Sequence, residues 1–227
     1  MQSLDLSRYK TIIFDFDGTL YDKTRFGMHL VLNMPTRALW LLAVQKVRKA
    51  IKGKDFSNQE KFYEEFFSLL HKAIGTKLPI EEVRNWYFNG YMPLMHRVLT
   101  SCYECQPEAN ELIKTLTQKG IKVAVLSDYA MIEERLKAIG ITAPFDFLYS
   151  SETAGALKPS SRPFSYVAQA LGIEPKDILM IGDREDTDGQ GAANADMDFM
   201  HIVRKKKQKK TRHDATWADL SELIKKL

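Results

Sequence analysis

The chain has 227 residues, 44% of them hydrophobic and 27% charged, which is the balance of an ordinary globular protein with room for one large or two small domains. The formal charge is +4, from 33 basic and 29 acidic residues, but seven of the basic ones crowd into residues 204–212. Without them the count is 26 against 29, or −3, so one loop makes the global charge and says little about the rest. Two cysteines, Cys102 and Cys105, exclude a disulfide framework. Residues 1–10 are charged and lack the apolar centre of a secretory signal. The most apolar stretch, residues 28–47, is broken by His29, Asn33, Pro35, Arg37 and Gln45, so no transmembrane segment is expected. The expected location is the cytoplasm.

In chain order, the first element is a short strand. Thr11, Ile12, Ile13 and Phe14 form a continuous apolar run, the mark of a strand buried on both faces as in a parallel sheet. It runs into Asp15-Phe16-Asp17-Gly18-Thr19-Leu20. Here two carboxylates two residues apart share a face of the extended chain and repel each other unless a cation or a shared proton offsets the charge. Residues 24–98 contain no convincing strand. Helices are predicted near 36–51 behind Pro35, after Ser57 as its cap, with Phe62, Phe66, Leu69 and Leu70 at helical spacing, and from Pro79 through Trp86 and Leu94 toward Leu99. This block reads as an all-helical insertion.

From Gln106 onward helix and strand alternate. A helix over 107–119 stops at Gly120, and a β-branched strand over 122–126 ends in Ser127-Asp128. A helix over 131–139 stops at Gly140, and a short strand covers 145–149. A helix over 163–171 stops at Gly172, a strand over 177–181 ends in Gly182-Asp183, and a last strand covers 199–203. Residues 215–226 form an amphipathic helix. Such alternation implies an α/β fold, a Rossmann-like parallel sheet with helices on both faces.

Four strand ends carry polar residues suited to chemistry. They bring Asp15 and Asp17, Ser127, Lys158 in the segment after the third strand, and Asp183 with Asp186 and Asp188 in the turn beyond it. In such sheets ligands bind at the carboxyl ends of the strands, so these groups are expected to meet. Several carboxylates in one place call for a hard cation, and an oxygen-only set favours Mg²⁺. A lysine and a hydroxyl beside them would complement a phosphate. One aspartate could then attack phosphorus while the other carries a proton.

These motifs closely resemble those of the haloacid dehalogenase-like superfamily, in particular its phosphatase branch with a helical cap inserted after the first strand, as in the phosphoglycolate phosphatase-like members. Asp15 through Leu20 matches the first motif, Ser127 the second, Lys158-Pro159 the third, and Gly182 through Asp188 the fourth. The resemblance implies a catalytic core at 1–22 and 101–227 with a cap at 23–100. It further implies Asp15 as nucleophile, Asp17 as acid and base, Ser127 and Lys158 on the phosphate, and Mg²⁺ on Asp15, Asp183 and the Asp17 carbonyl. Asp188 would orient metal-bound water, with Asp186 able to share that task. The implied activity is Mg²⁺-dependent hydrolysis of a small soluble phosphomonoester through an aspartyl-phosphate. A phosphomutase of the same fold is the alternative. A 2-haloacid dehalogenase, or a non-catalytic protein that binds nucleic acid or other anions, ranks lower. A halide leaves without a proton, so the presence of Asp17 argues against dehalogenation. The expected partner is a small phosphorylated metabolite, with no obligate nucleic acid, on a monomer or dimer.

Other features are read more blandly. The pair Cys102 and Cys105 lacks the further ligands that a structural zinc needs. Most aromatics of the helical block, from Trp40 to Tyr91, are read as its core, with one or two left to stack on a substrate. Arg25, His29, Arg37 and His96 are candidate substrate contacts from that block. The basic run 204–212 is read as a solvated turn, able to steer anions. Residues 38–54 combine an apolar helix with Lys46, Arg48, Lys49, Lys52 and Lys54, which makes contact with a membrane surface conceivable.

Overall fold

In the computed structural model, which describes residues 5–205, 208, 211 and 214–227, strands β1 (Thr11–Asp15), β2 (Lys122–Ser127), β3 (Phe147–Ser150), β4 (Ile178–Gly182), β5 (Asp198–Ile202) and β6 (Asp214–Ala215) form one sheet. All pairings are parallel and the spatial order is β3-β2-β1-β4-β5-β6. The chain steps outward from β1 to β3, then crosses back to β4 on the other side of β1. The boundary between β1 and β4 is thus a topological switch point, where loops leave in opposite directions and open a crevice.

Side chains alternate between the two faces of each central strand. Ile12, Phe14, Val123, Val125, Leu179 and Ile181 enter one buried cluster. Ile13, Ala124, Leu126, Ile178 and Met180 enter the other. Both faces are apolar because helices cover both, which is why these strands read as unbroken apolar runs.

After β1 the chain first forms a block of five α-helices, α1 (Phe26–Asn33), α2 (Ala38–Ile51), α3 (Gln59–Ile74), α4 (Ile80–Trp86) and α5 (Met92–Cys102). They enclose a core of their own in which Phe62, Phe66, Phe67, Leu70, Tyr87 and Tyr91 are fully buried. Most of the aromatics therefore serve packing, as their spacing predicts. α1 is an element that the sequence reading does not single out. The cap of α3 is Asn58, whose side chain accepts from the Lys61 amide at 2.9 Å, and not its neighbour Ser57, which has a positive φ of 72°. The long helix expected after Pro79 is interrupted by a wider π-type turn at Tyr87–Tyr91.

Six further helices complete the fold: α6 (Ala109–Gln118), α7 (Ile132–Ala138), α8 (Ser151–Ala154), α9 (Ser161–Leu171), α10 (Gln190–Asn194) and α11 (Trp217–Lys225). α11 starts with a reciprocal cap between Thr216 and Asp219. The two-residue strand β6 lies beyond the strand expected to be last. Cys102 and Cys105 are unpaired thiols. Among the described residues no helix is long and apolar enough to cross a membrane. Of the basic run, Lys206, Lys207, Lys209, Lys210 and Arg212 lie outside the described residues.

One buried ion pair ties the helical block to the sheet. Glu152 of α8 has no exposed surface and accepts from Arg48 Nη1 at 2.5 Å, Tyr87 Oη at 2.9 Å, Tyr63 Oη at 3.1 Å and the Ala130 amide at 3.0 Å. Arg48 also donates to the Asp128 carbonyl at 2.5 Å and stacks over the Tyr129 ring at 3.7 Å. Residues of α2, α3 and the π-type turn thus converge on one carboxylate of the sheet side. Replacing Arg48 by Met strands that carboxylate in the interior. Urea unfolding of the variant is expected to show a loss of about 3–5 kcal/mol; a loss below about 1 kcal/mol, the range of exposed pairs, would show that the pair does not hold the two parts together.

Candidate active site

The carboxyl ends of β1 and β4 meet at the switch point and deliver Asp15 and Asp183 to one crevice, whose volume is about 550 Å³, while Ser127 ends the adjacent β2 with no exposed surface. The segment after β1 turns tightly. Gly18 adopts φ +101°, and a Cβ there would stand 2.3 Å from Asp183 Oδ2, so only glycine allows the turn to close over that carboxylate. Thr19 Oγ1 donates to Asp15 Oδ2 at 3.0 Å and fixes the rotamer of the carboxylate.

Lys158 sits at the centre. Its ammonium donates to Asp15 Oδ1 at 2.6 Å and to Asp188 Oδ1 at 2.6 Å, with all three side chains buried. Burial works against the charged lysine, but the two carboxylates outweigh it and hold its pKa well above the usual range. For Asp15 and Asp188 burial acts the other way and raises both pKa values. Lys158 opposes that rise, while the neighbouring Asp183 adds to it.

Asp15, Asp183 and Asp188 place carboxylate oxygens within 4.8 Å of one another. Asp183 Oδ1 is buried without a hydrogen-bond partner, and an oxygen left bare in this way suits a hard cation. The oxygen opposite it already meets a cation. Lys23 Nζ lies 2.7 Å from Asp183 Oδ2 and donates to the Asp17 carbonyl at 2.7 Å. Two ammonium groups therefore face three carboxylates, and a divalent ion in place of Lys23 would bring this cluster to neutrality.

Asp17 faces the other way. Arg135 Nη2 donates to its two carboxylate oxygens at 2.7 and 2.6 Å, and Tyr21 Oη donates to Oδ1 at 2.8 Å. Burial would raise the pKa of Asp17, but Arg135, Tyr21 and Lys23 outweigh it and hold the carboxyl below its ordinary value. Burial and the charge of Asp17 push the Tyr21 phenol far above its own range, so it stays a donor. Arg135 also donates to Ser127 Oγ at 2.9 Å, and the Tyr129 amide donates to the same oxygen at 3.2 Å. Neither contact uses the hydroxyl proton of Ser127, which remains available to an acceptor.

Of the residues expected at the site, Asp15, Asp17, Ser127, Lys158, Asp183 and Asp188 are brought together. Asp186 lines the same crevice at its rim, where it is exposed and paired with Arg184 and Lys52. From the helical block, Phe26 of α1 and Gln45, Arg48, Lys49 and Lys52 of α2 line the crevice. Arg25, His29, Arg37 and His96 are not among the residues that line it. His29 instead meets Tyr103 Oη at 3.0 Å, and Arg37 stacks on Trp40.

The sequence reading misses Lys23, Arg135 and His201. Arg135 leaves a trace, since it falls on the apolar stripe of α7 with Ile132 and Leu136. His201 fills the space between Asp214 Oδ1, at 2.9 Å, and the carbonyl of Asp183, at 3.1 Å, and so braces the turn that presents Asp183.

A family model described as haloacid dehalogenase-like hydrolase matches residues 9–196. A glyceraldehyde 3-phosphate phosphatase from Methanothermobacter thermautotrophicus is 27% identical over 194 residues, covering 83% of each chain. A phosphoglycolate phosphatase from Aquifex aeolicus is 29% identical over 185 residues, 78% of this chain and 76% of that protein. Among solved structures, the HAD-hydrolase YfnB of Bacillus subtilis, determined bound to magnesium, superposes with a TM-score of 0.67 at 20% identity over 96% of this chain and 99% of that one. At that identity the likeness is one of fold.

The position of Lys23 has a measurable consequence. A cation bound by Asp183 and the Asp17 carbonyl must first displace the ammonium that bridges them. Lys23→Met removes the competitor and keeps the length of the side chain, so calorimetric titration with Mn²⁺ is expected to show binding about tenfold tighter than in the parent, given the strength of charge interactions at such range. Equal or weaker binding would show that the lysine does not compete.

Proposed function

Since the chain belongs to the haloacid dehalogenase-like hydrolases, we propose that it is a Mg²⁺-dependent phosphatase acting on a small phosphomonoester. The observation that carries this reading is the Lys158 bridge between Asp15 and Asp188, with Asp17 turned to a separate partner. One carboxylate is thereby set against a buried cation at the crevice, while the other stands free of the lysine. Two relatives named for phosphatase activity, on glyceraldehyde 3-phosphate and on phosphoglycolate, support the substrate class.

In this reading Asp15 attacks phosphorus and becomes the aspartyl-phosphate, while the leaving alkoxide takes a proton from Asp17. Lys158 neutralises the charge between a carboxylate and a phosphoryl dianion, which otherwise repel. The Ser127 proton goes to a phosphoryl oxygen. Asp17 is held ionised in the free protein, as suits the base that later draws a proton from water. The incoming dianion adds negative charge beside it and offers Arg135 a competing acceptor; both effects raise its proton affinity and equip it as the acid of the first step. Mg²⁺ would be held by Asp15, Asp183 and the Asp17 carbonyl, with Asp188 alongside, and would supply further charge neutralisation at the phosphoryl group.

Residues 23–100 would act as a cap over a catalytic core at 1–22 and 101–227, with α2 forming the wall opposite the nucleophile. The cytoplasm is the expected location. A proton from Asp17 serves no purpose for a halide leaving group, which sets this reading apart from dehalogenation.

Release of free phosphate from an aryl phosphate should require Mg²⁺ and stop with EDTA. Asp15→Asn is expected to lower turnover by about a thousandfold or more; near-normal turnover would sink the assignment. Asp17→Asn should cost about 10²–10⁴-fold on an alkyl phosphate and clearly less on the aryl ester, whose leaving group needs little protonation. An equal loss on both would argue that Asp17 is not the acid.

A further inference from the structure

The helical block carries a surface that the proposed chemistry does not use. Among the described residues, nine large apolar side chains are exposed, and seven of them lie in this block. Four lie on successive helices, with Met28 at 47% and Leu32 at 67% exposure on α1, and Leu39 at 78% and Leu42 at 60% on α2. Isolated exposed leucines are ordinary, but four in adjoining segments need a reason.

The charge around them is one-sided. Residues 23–54 contain eight lysines and arginines and no aspartate or glutamate. Some of these have work inside the fold, such as Arg48 with Glu152 and Lys52 with Asp186. Arg25, Lys46, Lys49 and Lys54 are exposed and form no ion pair among the described residues. On α2, Leu39, Leu42, Lys46 and Lys49 are all exposed and follow at steps of three, four and three residues, so they share one outward stripe. The opposite face, with Leu41, Val44, Val47 and Ile51, is buried in the core of the block.

We propose that the outward face of α1 and α2 docks on an anionic lipid bilayer. Leucines would enter the acyl boundary, while lysine ammoniums stay at the headgroups on their flexible stems. Charge complementarity selects the occupant. An acid-free stretch that leaves Arg25, Lys46, Lys49 and Lys54 exposed and without an ion pair among the described residues calls for a surface dense in negative charge, which anionic lipid provides. A folded protein partner fits less well, because lysine is depleted at protein–protein interfaces. α2 also supplies Gln45, Arg48, Lys49 and Lys52 to the wall of the catalytic crevice, so docking would bring the crevice close to the bilayer.

The test is co-sedimentation of the full chain with extruded vesicles. Vesicles of phosphatidylcholine with about one-third phosphatidylglycerol should bind it, and pure phosphatidylcholine should bind it far less. The double substitution Leu39→Ser, Leu42→Ser alters only exposed positions, so its thermal melt and its turnover of a soluble aryl phosphate should match the parent. Its partition onto anionic vesicles is expected to fall about tenfold or more. Lys46→Glu should weaken binding most at low salt, and the difference from the parent should shrink as salt screens the charge. Failure of the parent to bind anionic vesicles would overturn the proposal. So would unchanged binding by the double variant, which would move the contact to another basic segment such as residues 204–212. A parent that sediments as a dimer, and a double variant that sediments as a monomer, would show a second copy covering this face and would equally refute it.

Discussion

Everything at the centre of this molecule is arranged around one buried ammonium group. Lys158 holds Asp15 and Asp188 at 2.6 Å each, in a place where none of the three could stay charged alone. A buried carboxylate without a counter-ion takes up a proton, and a buried lysine without one gives its proton away. Each group's charge is therefore favoured by the others, while burial still leaves both carboxyl pKa values raised. The pair also crosses the switch point, since Asp15 ends β1 and Asp188 belongs to the turn after β4. Geometry at the sheet edge and charge at the site are one constraint.

The same logic recurs one layer out. Buried Glu152 is answered by Arg48 and two tyrosines from the helical block, and half-buried Asp17 by Arg135 and Tyr21. Such pairs contribute little net stability compared with apolar packing, but losing one partner is costly. They hold the block in register with the crevice, because an offset would strand a carboxylate. The proposed acid and base is thereby separated from the proposed nucleophile by its partner: Asp15 shares a lysine with Asp188, while Asp17 belongs to an arginine on α7.

Much of this was legible before any coordinates. The apolar runs at 11–14, 122–126 and 177–181 announced central strands of a parallel sheet, because a strand covered on both faces has no polar side to show. The polar residues just past those runs had to converge, since parallel strands end together. Other features left no local trace. α1 is short and weakly amphipathic, and the cap of α3 fell on Asn58 rather than Ser57 because both residue types serve equally well there. Asp186 matched its motif by position yet turned outward to Arg184 and Lys52, a choice that neighbours in space impose.

The sequence alone determined the fold class, the strand ends and the polar residues just past them, from Asp15 and Asp17 to Asp183, Asp186 and Asp188, because periodicity and turn residues act over a few neighbouring positions. What only the tertiary structure decided is which charge answers which. Lys23 lies six residues from the carbonyl it meets but 160 from the carboxylate, and Arg135 lies 118 residues from Asp17. Arg48 lies 104 residues from Glu152. Electrostatic partners are chosen by distance through space in a low-dielectric interior, and spacing along the chain does not encode that distance.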